Sequence, residues 1–202
     1  MNKKVLITGF EPFGGESINP AWEAVAAMDE TRTGAQLVRL SVPVTFADSI
    51  PVIHAVMEKE HPDIVICVGQ AGGRSAITPE RIAINVDDAR IPDNAGAAPK
   101  DEPIYADGSA AYFATVPVKR MVEAIRRENL PAMLSNTAGT YVCNHVMYGI
   151  LYWMEREFPD MKGGFIHVPY CTEQTADKPN EPSMSLRDIT AGLEAAVRAA
   201  AE

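Results

Sequence analysis

The sequence is poor in basic residues and has no long hydrophobic run. Its 202 residues include 18 Lys and Arg against 27 Asp and Glu, and no Lys/Arg block offsets the formal net charge of -9. This charge would repel phosphates, which argues against nucleic acid and anionic membrane surfaces as partners. No stretch approaches the roughly 20 apolar residues of a membrane span. The apolar run after Lys3 and Lys4 ends at Thr8, which is too short for a signal peptide.

Cysteine is also scarce. Cys67, Cys143 and Cys171 are odd in number and widely spaced, so they do not form a disulfide framework. A reducing cytoplasm is therefore the expected location. The length and the 47% hydrophobic content predict a single catalytic domain over residues 1–202 with one continuous core.

Apolar runs of strand length alternate with helical patterns, which predicts a three-layer α/β/α sandwich around a twisted, mostly parallel sheet. The predicted strands are Lys4–Thr8, Gln36–Leu40, Asp63–Val68 and Gly164–Val168. The predicted helices begin at Asn19 and Pro20, cover about 46–60, 117–129 and 144–158, and open again at Ser185. The run at 63–68 is almost wholly apolar, as in a central strand covered on both faces.

Two segments lack such periodicity. Residues 87–108 are rich in Asp, Asn, Pro, Gly and Ala. Loops longer than about 12 to 15 residues inside a compact domain are usually functional or disordered. The stretch 172–182 is expected to be loose.

Cys143 is the best candidate for a reactive group. It lies where a polar, Gly-containing turn runs into a helix whose apolar residues recur at i, i+3 and i+4 spacing. A thiol at a helix start meets unpaired N–H groups and the positive end of the macrodipole, so we expect a lowered pKa and a nucleophilic role. The alternative is a buried cysteine that fills space.

A thiolate hydrolase needs a base near the sulfur, and His167 is placed for it near the carboxyl end of a strand, where active sites of open α/β sheets gather. A third group must fix the imidazole tautomer. Glu80, beyond the central strand and its Gly-Gly turn, is the candidate. The alternatives are a histidine satisfied within its strand and a surface ion pair between Glu80 and Arg81.

His145 leaves a metal site open as an alternative. Together Cys143, His145, His167 and Cys171 offer side chains that zinc accepts. A metal-dependent amidohydrolase would use Cys143, His145 and His167. The spacing is not that of a standard zinc knuckle, and we expect neither a metal nor another cofactor.

The loop Gly9–Gly15 joins a strand to a helix, as a phosphate loop does. No Lys or Ser/Thr follows the glycines, and Glu11 and Glu16 would repel a phosphate. Phe10 and Phe13 instead predict an apolar slot for a flat, uncharged group. The alternative is that both phenylalanines lie in the core. A rival interpretation of the whole chain is a non-catalytic domain whose Phe10 and Phe13 pocket holds a small cyclic metabolite, with Cys143 merely buried.

Several motifs occur in order along nearly the whole chain: TGFEPFGG (8–15) with Asn19-Pro20, VGQAGGR (68–74), ERIAIN (80–85) with DDARIPDN (87–94), and NTAGTYVCNH (136–145). Together they closely resemble the pyroglutamyl peptidase I family, also called pyrrolidone-carboxylate peptidase. The resemblance implies a cytosolic cysteine peptidase that removes an N-terminal pyroglutamyl residue from peptides. It implies a catalytic triad of Cys143, His167 and Glu80.

The resemblance also implies a substrate site and an oxyanion hole. The implied substrate-binding residues are Phe10 and Phe13 around the pyrrolidone ring, Gln70, Asn19, Tyr141 and Val142. Arg90 and the backbone N–H of Cys143 would form the oxyanion hole. A pyroglutamyl group is a neutral lactam without an ammonium group, so aromatic faces can hold it without a counter-charge. Homo-oligomers, commonly tetramers, are implied as well.

Overall fold

Strands and helices alternate along the chain in the computed structural model, which describes residues 2–202. The strands are β1 (Lys4–Phe10), β2 (Gln36–Val42), β3 (Ile64–Gln70), β4 (Thr78–Pro79), β5 (Ile82–Ile84), β6 (Ala111–Phe113), β7 (Lys162–Val168), β8 (Tyr170–Cys171) and β9 (Ser183–Met184). The helices are α1 (Pro20–Ala27), α2 (Glu30–Thr33), α3 (Ser49–Glu60), α4 (Val118–Arg127), α5 (Val142–Arg156), α6 (Thr172–Thr175) and α7 (Leu186–Ala201).

The central sheet has the strand order β2-β1-β3-β7-β4. The first four of these strands are parallel, and only the short β4 runs antiparallel, against β7. Two small sheets, β5-β6 and β8-β9, lie outside it. The mostly parallel sheet that the sequence predicts is therefore confirmed, with β4 as an unpredicted antiparallel edge strand.

Successive residues of the central strands face opposite cores because side chains alternate across a strand. On β1, Val5 and Ile7 belong to one core and Leu6 to the other. Helices α1, α4 and α7 pack together on the first face, while α3 and α5 cover the second. These three layers form the predicted sandwich.

The long segment 87–108 has no regular helix or strand, as predicted, but its backbone is held by side chains. Asp87 pairs with Glu102 through two backbone hydrogen bonds. The Asp93 carboxylate accepts from the N–H groups of Phe46, Ala95 and Ala97. The loop is thereby fixed beside the start of α5, where Asp88 N–H donates to the Thr140 carbonyl at 2.9 Å.

The prediction of a loose stretch at 172–182 is wrong in its first part. The chain turns into α6 directly after β8, and this turn is closed by side-chain hydrogen bonds between Cys171 and Gln174. Strand β9 then pairs with β8. No helix within residues 2–202 is long and apolar enough to cross a membrane.

Candidate active site

Cys143 lies in the first turn of α5, above the end of β3. A methyl group added to Gly69 of β3 would lie 2.8 Å from Sγ and 2.8 Å from the Phe165 ring, so the absence of a side chain at Gly69 makes room for the thiol. Gly69 is the register partner of His167 in β7. Because neighbouring strands lie about 4.8 Å apart, the thiol and His167 lie at the same carboxyl edge of the sheet.

No residue among 2–202 accepts a hydrogen bond from the backbone N–H groups of Val142, Cys143 and Asn144 at the start of α5. The N-cap residue, Tyr141, makes no side-chain hydrogen bond to the helix. By contrast, Asn19 caps α1 and Ser185 caps α7. The N–H groups at an uncapped helix start point towards the space beyond the helix and attract negative charge. The N–H of Cys143 is one of them.

His167 and Glu80 form a buried pair. Strand β4 runs antiparallel to β7 and carries the chain to Glu80, whose N–H donates to the Phe165 carbonyl at 2.9 Å. His167 Nδ1 lies 2.7 Å from Glu80 Oε1, and the two residues are 4% and 0% exposed. A carboxylate only accepts, so Nδ1 carries the proton and Nε2 keeps a free lone pair. The pair has the geometry of a base and its orienting group.

Arg74 is a third member of this cluster that the sequence analysis missed. Its Nη1 lies 2.6 Å from the same Oε1 of Glu80 and 2.5 Å from Thr78 Oγ1, and its Nη2 donates to the Thr137 carbonyl at 3.2 Å. Glu80 is therefore paired with Arg74 and not with the adjacent Arg81. The only available signal was the position of Arg74 in the turn that follows β3.

The predicted low pKa of the Cys143 thiol is wrong for this arrangement. Burial, reinforced by the nearby Glu80 carboxylate, raises the pKa of Cys143 to about 12. The cost of removing the thiolate from water thus outweighs the stabilisation that the positive end of the helix gives it. Burial also lowers the pKa of His167, with a smaller contribution from the charge of Arg74, while Glu80 acts in the opposite direction. The thiol and the imidazole are therefore both neutral in this arrangement.

A small pocket opens beside the thiol. All six predicted substrate-binding residues line it together with Val44 and Cys143, namely Phe10, Phe13, Asn19, Gln70, Tyr141 and Val142. In the sequence these residues belong to three of the four motif groups. The ends of β1 and β3 and the starts of α1 and α5 bring them together.

The individual lining residues differ in how much they can offer a ligand. Phe10 is 3% exposed and packs near Phe165, so the core alternative holds for Phe10, whereas Phe13 is half-buried. The Tyr141 hydroxyl donates to the Pro92 carbonyl at 3.1 Å, which ties the long loop to α5. The part of the pocket lined by Phe10, Phe13 and Tyr141 is therefore mainly apolar, because the Tyr141 hydroxyl is already engaged.

Asn19 already uses both of its polar side-chain groups. Its Oδ1 accepts from the N–H of Ala21 at 3.1 Å, and its Nδ2 donates to the Glu11 carbonyl at 2.9 Å. The side chain therefore fixes the loop between β1 and α1. Arg90 lies exposed on the long loop, outside the pocket lining, and its part in an oxyanion hole stays a prediction.

The four side chains of the alternative metal site do not come together. His145 Nδ1 is bonded to the buried Asp87 at 2.7 Å. Cys171 lies in the core on the other face of the sheet from Cys143. Within residues 2–202, one group of three metal-type ligands lies close enough to share an ion, and it is the separate set of His54, Glu58 and Glu157.

The fold and this site define a cysteine-type hydrolase with a small apolar specificity pocket. A family model for pyroglutamyl peptidase matches residues 3–202. The chain belongs to the pyroglutamyl peptidase family, and it is a cysteine hydrolase with pyroglutamyl peptidase activity.

Individual relatives agree with this assignment. The chain is similar to the pyrrolidone-carboxylate peptidase of Clostridium botulinum, with 55% identity over 199 residues that cover 98% of this chain and 93% of the relative. It resembles the crystal structure of pyroglutamyl peptidase I from Bacillus amyloliquefaciens with a TM-score of 0.96 and 52% identity, covering 99% and 97% of the two chains. A mutant pyrrolidone carboxyl peptidase from Pyrococcus furiosus gives a TM-score of 0.92 at 44% identity, covering 98% and 97%.

Proposed function

We propose that Cys143, His167 and Glu80 carry out the hydrolysis of the amide bond after an N-terminal pyroglutamyl residue. The observation that carries this assignment is the buried His167–Glu80 pair beside Gly69, over which the Cys143 thiol lies at the mouth of the pocket. The pocket holds the pyrrolidone ring, and the scissile carbonyl then lies next to Sγ.

In the first half-reaction, Sγ attacks the pyroglutamyl carbonyl while its proton passes to Nε2 of His167. The carbonyl electron pair moves onto oxygen, where the free N–H groups at the start of α5 stabilise the negative charge. The intermediate collapses when the C–N bond breaks and the leaving amine takes the proton from Nε2. A thioester on Cys143 remains.

In the second half-reaction, a water molecule gives its proton to Nε2 and attacks the thioester carbonyl. The C–S bond breaks, the proton returns to sulfur, and pyroglutamate leaves. Glu80 accepts a hydrogen bond from Nδ1–H throughout and stabilises the transient imidazolium. The neutral starting state of both Cys143 and His167 fits this route, because a deprotonated Nε2 is available at neutral pH.

The experiment is a release assay that compares pyroglutamyl and prolyl versions of one chromogenic amide, with wild type and Cys143→Ala. We expect cleavage of the pyroglutamyl amide alone, and no measurable turnover by the variant. Mass spectrometry of quenched steady-state mixtures should place the acyl group on Cys143. An adduct on another residue, or substantial turnover by Cys143→Ala, would contradict the assignment.

We also propose the domain organisation, the oligomeric state and the location of the protein. Residues 1–202 act as one catalytic domain, and the chain assembles into a homo-oligomer, a tetramer by family resemblance. The exposed side chains of Phe113 and Met133 support an apolar contact between copies. Light scattering on the purified protein would measure the mass. The proposed location is the cytoplasm, where the three free cysteines stay reduced.

A further inference from the structure

Gln70 is held by a second glutamine outside the pocket. Gln70 Oε1 accepts a hydrogen bond from Gln174 Nε2 at 2.8 Å. Gln70 ends β3 and lines the pocket, whereas Gln174 lies in α6 and is 5% exposed. Neither the motifs nor the pocket lining points to Gln174.

The orientation of the Gln174 amide is set by backbone groups. The N–H of Cys171 can only donate, and it donates to Gln174 Oε1 at 3.2 Å. The carbonyl of Ile18 can only accept, and it accepts from Gln174 Nε2 at 3.4 Å. A turned amide would put an N–H group against an N–H group and an oxygen against an oxygen. Gln174 therefore always presents a donor to Gln70.

The Gln174 amide in turn fixes the orientation of the Gln70 amide. With Oε1 engaged by Gln174, the Nε2 group is the part of the Gln70 amide left for a ligand. Within residues 2–202, Gln70 Nε2 has no hydrogen-bond acceptor. The ring carbonyl of a pyroglutamyl group is an acceptor, and a prolyl ring has none. A Gln70 Nε2 donor left without a partner would thus penalise a prolyl substrate.

We propose that Gln174 is a positioning residue for specificity, which holds Gln70 with its Nε2 donor towards the ring carbonyl of the substrate. This inference rests on the proposed function, since it assumes that the pocket holds the pyrrolidone ring. Gln174 acts only through Gln70 and does not touch the reacting atoms.

Two substitutions of similar volume separate the possible effects. Gln174→Met removes the hydrogen bonds of Gln174 to Gln70, Ile18 and Cys171, and it leaves the Gln70 amide free to turn. Gln174→Glu keeps an acceptor for Cys171 N–H but offers Gln70 only acceptors. Gln70 must then turn its Nε2 towards Glu and its Oε1 towards the ring carbonyl, where two oxygens repel each other. The Glu variant should therefore bind the substrate worse than the Met variant.

The experiment measures kcat/KM on a pyroglutamyl chromogenic amide and the rate of Cys143 alkylation by iodoacetamide. Gln70→Met should lower kcat/KM by about 100-fold and Gln174→Met by about 10-fold, as expected for a lost hydrogen bond at a buried site. Gln174→Glu should fall below Gln174→Met. Alkylation should stay near the wild-type rate in all of them, because iodoacetamide does not need Gln70.

A double variant tests whether Gln174 acts through Gln70. Gln70→Met with Gln174→Met should be no worse than Gln70→Met alone, since the second change then has nothing left to orient. Gln36→Met is the matched control, the same chemical change at an exposed position at the start of β2, and it should behave as wild type.

The outcomes separate the inference from the proposed function. If wild type cleaves the pyroglutamyl amide and both Gln174 variants behave as Gln36→Met, the inference is wrong while the function stands. Losses that add in the double variant, or alkylation that slows in parallel with kcat/KM, also overturn it, because both indicate general damage. If wild type fails to cleave the amide, the proposed function itself is wrong.

Discussion

Arg74 and His167 bind the same oxygen of one buried carboxylate. Arg74 Nη1 lies 2.6 Å and His167 Nδ1 2.7 Å from Oε1 of Glu80. The guanidinium is permanently charged, so it favours the ionised carboxylate and disfavours a second positive charge on the imidazole. Arg74 therefore keeps the Glu80–His167 pair in the protonation state that a general base requires.

The first prediction concerns Arg74→Met. The charge of Arg74 lowers the pKa of His167, so its removal raises that pKa and moves the acid limb of kcat/KM to higher pH. We expect a loss of about 10-fold near neutral pH, the size of a lost charge-assisted hydrogen bond, and a larger loss at pH 6 than at pH 8. Arg74→Lys should restore part of the profile. Arg81→Met is the matched control, and an equal effect there would contradict the role of Arg74.

The second prediction concerns the reactivity of the Cys143 thiol towards iodoacetamide. Since burial raises the pKa of Cys143 to about 12, the alkylation rate should keep rising through pH 8 to 10. It should show no plateau at neutral pH of the kind that a stable thiolate gives. Mass spectrometry of samples quenched at set times would follow the modification. A rate that levels off below pH 7 would show that an ion pair with His167 already exists.

The third prediction concerns Glu80→Gln. An amide can donate towards Nδ1 and favour the wrong imidazole tautomer, so kcat should fall on the order of 10³- to 10⁴-fold. The measurement is turnover with a check of thermal unfolding, because Glu80 is fully buried. A variant that folds, turns over at the wild-type rate and has an unchanged pH profile would make Glu80 a bystander.

The fourth prediction concerns Gly69→Ala. The added methyl group would lie 2.8 Å from Sγ, and the thiol must move. A displacement of this kind can lower kcat by about 10²-fold. Gly164→Ala is the matched control on β7, because its methyl group would meet Val116 on the opposite face of the sheet. Both variants should lose about 1–3 kcal/mol of unfolding free energy, but only Gly69→Ala should lose most of its turnover.

The fifth prediction concerns Arg90→Ala. Loss of a single oxyanion donor typically costs about 10²- to 10³-fold in kcat. That loss is expected if the Arg90 side chain turns from its exposed position towards the substrate. Activity near wild type would limit the role of Arg90 to its backbone. Steady-state kinetics on the pyroglutamyl amide measures the difference.

Much of the fold could be predicted because its signals are local. The apolar run at 63–68 predicted a buried strand, and the structure gives β3 at Ile64–Gln70. Ser185 predicted the start of the last helix, and its side chain accepts from Asp188 N–H. Helix α3 begins at Ser49 and not near 46, because Thr45 and Asp48 close a turn before it. That turn depends on side-chain contacts that periodicity does not report.

Candidate residues for the site could also be chosen from residue types. Cys143 at a helix start and His167 near a strand end were chosen on local grounds, and the pocket gathers the predicted binding residues. Arg74 and Gln174 were missed, because each acts through a hydrogen bond to a residue that was itself predicted. The pKa of Cys143 was predicted in the wrong direction, since a sequence pattern reports the helix start but not the depth of burial.

The sequence by itself determined the main strands and helices and the choice of candidate reactive side chains, because periodicity and residue chemistry act within a few positions of the chain. Only the tertiary structure decided that Gly69 lies under the thiol, that one carboxylate oxygen serves both Arg74 and His167, and how far the sulfur is removed from water. These properties arise where strands distant in sequence meet at one edge of the sheet. Hydrogen bonds and desolvation depend on the distances between atoms in space, which the order of residues along the chain does not report.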